Sequence, residues 1–330
     1  MAVKWRFVNT LDGFFALAGL WRAGPGLLYC KKKLRGRPVS LLESKVLTFG
    51  GVPQPKLERC RAGIIPAPLE VTVTYGEGAA QGPLAIMSAS AIMELYDEVL
   101  GSSPVDQGIY THYRVDTSGP VEACLDRIQA AVSAELDAGR LPVVLGGEHT
   151  VTVGALRAMK ERFGTDFTVL VMDAHLDMRQ DYEGERLSHA TVMRRATEMG
   201  LAVRWVGARS CSREEAEFVA RQGLEPMWAH ETHADPNWLE RALDGLSGPV
   251  YLSLDIDGLD SGIMPATGTP EPGGLSWQQA TAWLDAVCAR HQVLGLDMVE
   301  LAPLAGQTAW DFTAARLLYR ALGLIFRGAK

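Results

Sequence analysis

The sequence predicts an α/β domain in which a parallel sheet is covered by helices on both faces. Three observations carry this. Short runs such as LPVVL (141–145), FTVLVM (167–172), VYLSL (250–254) and VLGLDMV (293–299) are almost continuously apolar, as strands buried on both faces must be. Segments with helical spacing separate them. From residue 59 onward this alternation is broken by no internal repeat and no low-complexity stretch, so one doubly wound domain is the simplest architecture.

The elements follow in order. Residues 62–65 (AGII) read as a short buried strand stopped by Pro66. The loop TVTYGEGAAQGP comes next, and its glycines permit tight turns. Residues 85–100 have helical spacing. Residues 120–139 form an amphipathic helix with Val121, Cys124, Leu125, Ile128, Ala131, Val132 and Leu136 on one face and Gly139 as its stop. Strand 141–145 ends at Gly146 and Gly147, helix 151–163 follows, and strand 167–172 comes after it. The pattern then gives helix 190–199, strand 202–206, helix 213–222, helix 236–246, strand 250–254, helix 276–291, strand 293–299 and a final helix over 310–322.

Residues 1–58 differ in character and are set apart as an N-terminal extension, with residues 59–330 as the catalytic domain. The extension carries the basic run KKKLRGR (31–37), read as a solvated appendage. Its apolar stretch FFALAGLW (14–21) is far short of the ~20 residues a membrane span needs. No membrane association is therefore expected. The net charge of −7 argues against a nucleic-acid partner, because phosphate binding wants a basic surface. Five cysteines, an odd number without a CxxC pair, give neither a disulfide framework nor a thiolate zinc site. They read as reduced thiols of a cytoplasmic protein.

The chemistry is concentrated where strands end. After VLVM come Asp173, His175 and Asp177 on alternate residues, with His189 twelve positions beyond Asp177. In open α/β sheets ligands bind outside the carboxyl ends of the strands. In an extended segment these three side chains would point the same way and repel one another unless a cation held them. A lone DxHxD is weak, but other strand ends repeat the theme. LPVVL runs into GGEHT with His149, VYLSL runs into Asp255 and Asp257, and VLGLDMV runs into Glu300. Mixed imidazole and carboxylate ligands suit Mn²⁺, Zn²⁺, Fe²⁺ or Co²⁺, and the carboxylate excess without thiolates leans toward Mn²⁺. Six ligands exceed what one catalytic ion with an open position takes, and they fit two ions ~3.5–4 Å apart that share bridging carboxylates.

GGEHT, DAHLD and SLDIDGLDSGIMPATGTPEPGGLS resemble the three signature motifs of the ureohydrolase superfamily, the arginases and agmatinases, over roughly residues 60–325. YEGERLSHATVMRR and VGARS are similar to the agmatinase branch. The resemblance implies a three-layer α/β/α arginase-like fold with a central parallel sheet of about eight strands. It implies two Mn²⁺ ions per subunit, one held by His149, Asp173, Asp177 and Asp255, the other by Asp173, His175, Asp255 and Asp257. His189 would shuttle a proton to the leaving amine, and Glu300 would grip the substrate guanidinium. Family members form homotrimers or homohexamers. Two departures stand out: Ser261 replaces the usual proline after the third aspartate, and PLAGQTAWD supplies no acidic residue before Asp311.

The implied reaction is hydrolysis of a small cationic guanidino substrate to urea and a primary amine. Gln180, Asp181, Tyr182, Glu183 and Glu185 in the loop MRQDYEGERLS suit a cationic tail, so agmatine is the first expected substrate and N1-aminopropylagmatine the next. Arginine or guanidinobutyrate would call on Arg179 or Arg186 to meet a carboxylate. The rival readings are a one-zinc deacetylase-like amidohydrolase, which has fewer aspartates at these points, and a non-catalytic metal-binding scaffold. Neither explains why the whole ligand set, His189 and Glu300 are all present.

Overall fold

The computed structural model describes residues 47–328. The apolar and basic stretches of the N-terminal extension lie outside the described residues. Eight parallel strands make one sheet: β1 (Ala62–Ala67), β2 (Ile109–Thr111), β3 (Leu141–Gly146), β4 (Thr168–Met172), β5 (Ala202–Ala208), β6 (Met227–Trp228), β7 (Val250–Asp255) and β8 (Val293–Val299). Their spatial order is β2-β1-β3-β8-β7-β4-β5-β6. The α-helices are α1 (Gly82–Ser90), α2 (Val121–Asp137), α3 (Val151–Phe163), α4 (Val192–Glu198), α5 (Arg213–Arg221), α6 (Ala229–Ala234), α7 (Trp238–Leu243), α8 (Trp277–Arg290) and α9 (Ala309–Gly328).

Strand residues alternate between two cores, which is why the runs had to be apolar throughout. Val143, Leu145, Leu170, Met172, Leu252, Leu254, Leu296 and Met298 face one side and pack with α1, α7, α8 and α9. Val144, Val169, Val171, Tyr251 and Val299 face the other and pack with α2, α3, α4 and α5. The expected three layers and eight parallel strands are both present. No helix among the described residues is long and apolar enough to cross a membrane.

Four local expectations need correction. Pro66 does not stop β1, which runs on to Ala67 in register with β3. The pairing with β2 ends at Ile64, and the Pro66 carbonyl, on the same side, accepts from the Val115 amide instead. The missing proline N–H would point to that side, beyond the ladder, so no sheet hydrogen bond is lost. The helix expected over 85–100 is α1, which begins earlier and ends at Ser90, where the Ser90 hydroxyl donates to the Met87 carbonyl. Such back-bonding competes with the helix. The helix expected over 236–246 is the short α7, with α6 before it. Strands β2 and β6 went unread because segments of three and two residues carry no periodicity.

Candidate active site

The sheet order explains how distant motifs meet. Strands β3, β8, β7 and β4 are neighbours and all point the same way. The pairs Leu145↔Met298, Asp255↔Val299 and Met172↔Leu254 bring four strand ends level. His149, Glu300, Asp255, Asp257 and the 173–177 segment are thereby delivered to the carboxyl ends of the four central strands.

Beyond the strands the chain does not stay extended, so alternation alone does not gather the ligands. The Asp173 carboxylate accepts the His175 amide at 2.6 Å, and Asp255 accepts the Asp257 amide at 2.9 Å. Asp257 in turn accepts the Ala174 amide at 3.0 Å, tying the β7 loop to the β4 loop. Asp177 and Glu300 adopt left-handed backbone, with φ of 51° and 64°. Non-glycine residues hold that region only where their surroundings enforce it. The Asp177 carbonyl is clasped by the Met193 and Arg194 amides at the start of α4, and the Glu300 amide donates to the Gly147 carbonyl at 2.8 Å.

All eight sequence-predicted residues come together. His149, Asp173 and Asp255 place ligand atoms within 4.8 Å of one another, as do Asp173, His175 and Asp257, and Asp173 belongs to both groups. Asp177 Oδ2 is 2.9 Å from His149 Nδ1. His189 and Glu300 line the same cavity of about 330 Å³. That is the small end of ligand pockets, which run about 300–1,000 Å³.

The arrangement fits metal ions on its own hydrogen bonding. Ser253 donates its hydroxyl proton to Asp297 Oδ1 at 2.8 Å, so toward His149 Nε2, at 2.9 Å, it acts as acceptor. In the neutral ring this leaves Nδ1 bare. That atom faces oxygens of Asp173, Asp177 and Asp255 at 3.3, 2.9 and 3.3 Å. Both His149 Nδ1 and Asp173 Oδ2 are buried without a hydrogen-bond partner. A lone pair among carboxylates is stable only around a cation.

The protonation equilibria say the same. Burial and the charges of Asp257 and Asp173 push the Asp255 carboxyl well up. Burial and Asp173 push Asp177 up to about 7. At Asp173 burial is outweighed by His149 and His175, which hold its carboxyl below the usual range. Burial works against a charged His175 ring, but Asp257 and Asp173 overcome it and raise His175 to about 12. Mutual shifts of this size among buried carboxylates and imidazoles are what a bound cation would relieve.

Asp297 anchors His149, a candidate metal ligand, from behind through Ser253. This fully buried carboxylate also accepts from Thr152 Oγ1 and Tyr251 OH, each at 2.8 Å. Partners of this kind fix a metal-binding histidine's tautomer, and losing one typically costs about 10–100-fold in metal affinity. Ser253→Ala is accordingly expected to weaken metal retention by about that factor while the far-ultraviolet circular dichroism is unchanged. Equal metal content after dialysis against graded chelator would contradict it.

The cavity wall departs from expectation in two places. The loop 181–185 turns its acids outward: Tyr182 and Glu185 exchange backbone hydrogen bonds at 2.9 Å, and Asp181, Glu183 and Glu185 are exposed. Of residues 179–188 only Arg179 and Tyr182 reach the cavity. The carboxylate that lines it without a side-chain hydrogen bond or ion pair among the described residues is Glu271, half-buried in TPEPGG. Gly147 lets the loop at Leu69 pass close by, since a Cβ there would sit 2.0 Å from the Leu69 carbonyl oxygen.

The motif order and this geometry agree with the comparisons to known proteins. The profile of the Arginase family matches residues 60–323. This chain belongs to the arginase family. It is 35% identical over 303 residues to the N(1)-aminopropylagmatine ureohydrolase of Synechocystis, covering 90% of this chain and 97% of that relative. It is 37% identical over 279 residues to the protein of the same name from Thermus thermophilus, covering 84% and 94%. The solved structure of the agmatine ureohydrolase of Thermoplasma volcanium superposes with a TM-score of 0.78 at 29% identity, covering 86% of this chain and 95% of that one. Within the arginase family the chain thus sides with the agmatinase branch.

Proposed function

We propose that this arginase-family chain hydrolyses a guanidino compound with a cationic tail, releasing urea and a primary amine, and that agmatine and N1-aminopropylagmatine are its two candidate substrates. The observation that carries the reading is the convergence of two overlapping His/Asp ligand groups, Glu300 and His189 on one small cavity. The names of the relatives add weight to the longer polyamine. The ions would be two Mn²⁺, held by His149, Asp173, Asp177 and Asp255 and by Asp173, His175, Asp255 and Asp257. When bound, they supply positive charge that makes a water molecule an effective nucleophile near neutral pH.

The chain's own residues do the rest. The His149 amide donates to Glu300 Oε1 at 2.6 Å and fixes the carboxylate, leaving Oε2 for the substrate. Burial pushes the Glu300 carboxyl up to about 8, and positive charge nearby, a guanidinium included, favours its ionised form. Its planar fork then orients the guanidinium carbon for attack. His189 delivers a proton to the departing amine nitrogen as the carbon–nitrogen bond breaks. Glu271 meets the distal ammonium, and the Tyr75 and Tyr182 rings flank the tail. Cytoplasmic residence, a homotrimeric or homohexameric assembly and a division between residues 1–58 and 59–330 complete the proposal.

Urea release from agmatine, aminopropylagmatine, arginine and guanidinobutyrate by the Mn²⁺-loaded chain tests it. Turnover of either amine supports the assignment, and turnover of the two carboxylates alone would refute the tail reading. Glu271→Gln is expected to raise KM for the preferred amine about tenfold with kcat within about twofold, the pattern of lost uniform binding. An unchanged KM would remove Glu271 from the site.

A further inference from the structure

Glu148, inside GGEHT, is fully buried and is not among the metal ligands proposed above. Its Oε2 accepts the Val71 and Thr72 amides at 2.6 and 2.7 Å. Its Oε1 accepts the hydroxyls of Thr72 at 3.0 Å and Thr150 at 2.7 Å. A carboxylate only accepts, so the Thr72 proton is committed to Glu148. Thr72 Oγ1 therefore has only lone pairs left for its other two neighbours. These are the His189 amide at 3.1 Å, which donates, and His189 Nδ1, also at 3.1 Å. Nδ1 must then carry a proton. His189 Nε2 has no partner among the described residues, and the ring lines the cavity, held on another side by the Tyr182 ring with centroids 5.4 Å apart.

We infer that Glu148 and Thr72 are positioning residues that lock His189 in its Nδ1–H tautomer, so that proton traffic passes only through Nε2. The inference rests on the proposed role of His189. The protonated ring gives its Nε2 proton to the leaving nitrogen, which takes the electron pair of the broken carbon–nitrogen bond. The neutral ring that remains keeps its Nδ1 proton on Thr72, and Nε2 is free to be protonated again. In the opposite tautomer the single proton sits on Nε2, and giving it up would leave an imidazolate, which is inaccessible near neutral pH.

This direction can be reversed without changing shape. In Glu148→Gln, the amide oxygen can keep both backbone donors while the NH₂ group faces the two threonine hydroxyls. Thr72 then receives a hydrogen bond and turns its own proton toward His189 Nδ1. Thr72→Val removes the link, and Thr72→Ser preserves it. The test measures kcat and KM per metal-loaded site in the full-length Mn²⁺ protein. It also records ¹⁵N imidazole spectra of histidine-labelled full-length protein with Mg²⁺ in place of paramagnetic manganese, His189→Gln identifying the resonance. Glu148→Gln and Thr72→Val are expected to lower kcat about 10–100-fold with KM within about twofold. Thr72→Ser should recover most of it, and Glu148→Gln should move the proton from Nδ1 to Nε2. Retained kcat, or an unchanged tautomer, in Glu148→Gln would overturn the inference while leaving the role of His189 intact. Retained kcat in His189→Gln would instead overturn the role of His189, and the inference with it.

Discussion

Asp173→Asn is expected to abolish urea release, with a loss of at least about 10³-fold, or roughly 4 kcal/mol of transition-state stabilisation. Asp173 is the residue shared by both ligand groups, and it is fully buried. Its Oδ1 is engaged by the His175 amide, while Oδ2 is the orphaned atom directed at His149. Asparagine either points N–H donors at the cation positions or turns them toward the His175 amide, and neither arrangement restores two ligand oxygens. The variant should bind fewer ions per chain by elemental analysis, and prolonged treatment of the parent with a chelator should reproduce its inactivity. Readdition of Mn²⁺ should rescue the parent and not the variant. Near-normal turnover of the variant would remove Asp173 from the reaction.

Glu300→Gln is expected to lower kcat/KM by about 10²–10³ while the bound metal stays at the parent level. The amide can keep the hydrogen bond from the His149 N–H, so the ligand beside it is undisturbed. What it lacks is the negative charge that meets the guanidinium, and buried charge-assisted pairs carry far more than neutral ones. Metal loss in this variant would mean that Glu300 supports the ligand cluster instead of the substrate. Unchanged kcat/KM would mean that the guanidinium is held elsewhere in the cavity.

The parts of the molecule that could be read from sequence are those whose constraint is local. Strands β3, β4, β7 and β8 are buried on both faces, so their runs of five to seven residues admit little polarity. Carboxylates and imidazoles directly after such runs are costly unless functional, which is why the six candidate ligands stood out. Asp297 was the one acid within β8, and that was the available signal for the support behind His149. Thr72 and Glu148 gave no comparable sign, since their contact depends on two segments 76 positions apart being laid together. The loop 181–185 was misread for the converse reason: its composition is acidic, but a tight turn at Tyr182 and Glu185 decides which way the acids face.

The sheet order has a consequence for how the molecule is made. Strand β8 lies between β3 and β7, and those two share no direct pairing. Until residues 293–299 have left the ribosome, the growing chain holds two separate half-sheets, β2-β1-β3 and β7-β4-β5-β6, each with an apolar interior-type edge unsatisfied. Such edges are templates for mispairing with other nascent chains. The wedge that closes them also carries Glu300 at its tip. A premature stop before residue 293 would therefore yield two unjoined fragments of sheet rather than a shortened enzyme, with His149 stranded on one and the aspartates and His175 that follow β4 and β7 on the other.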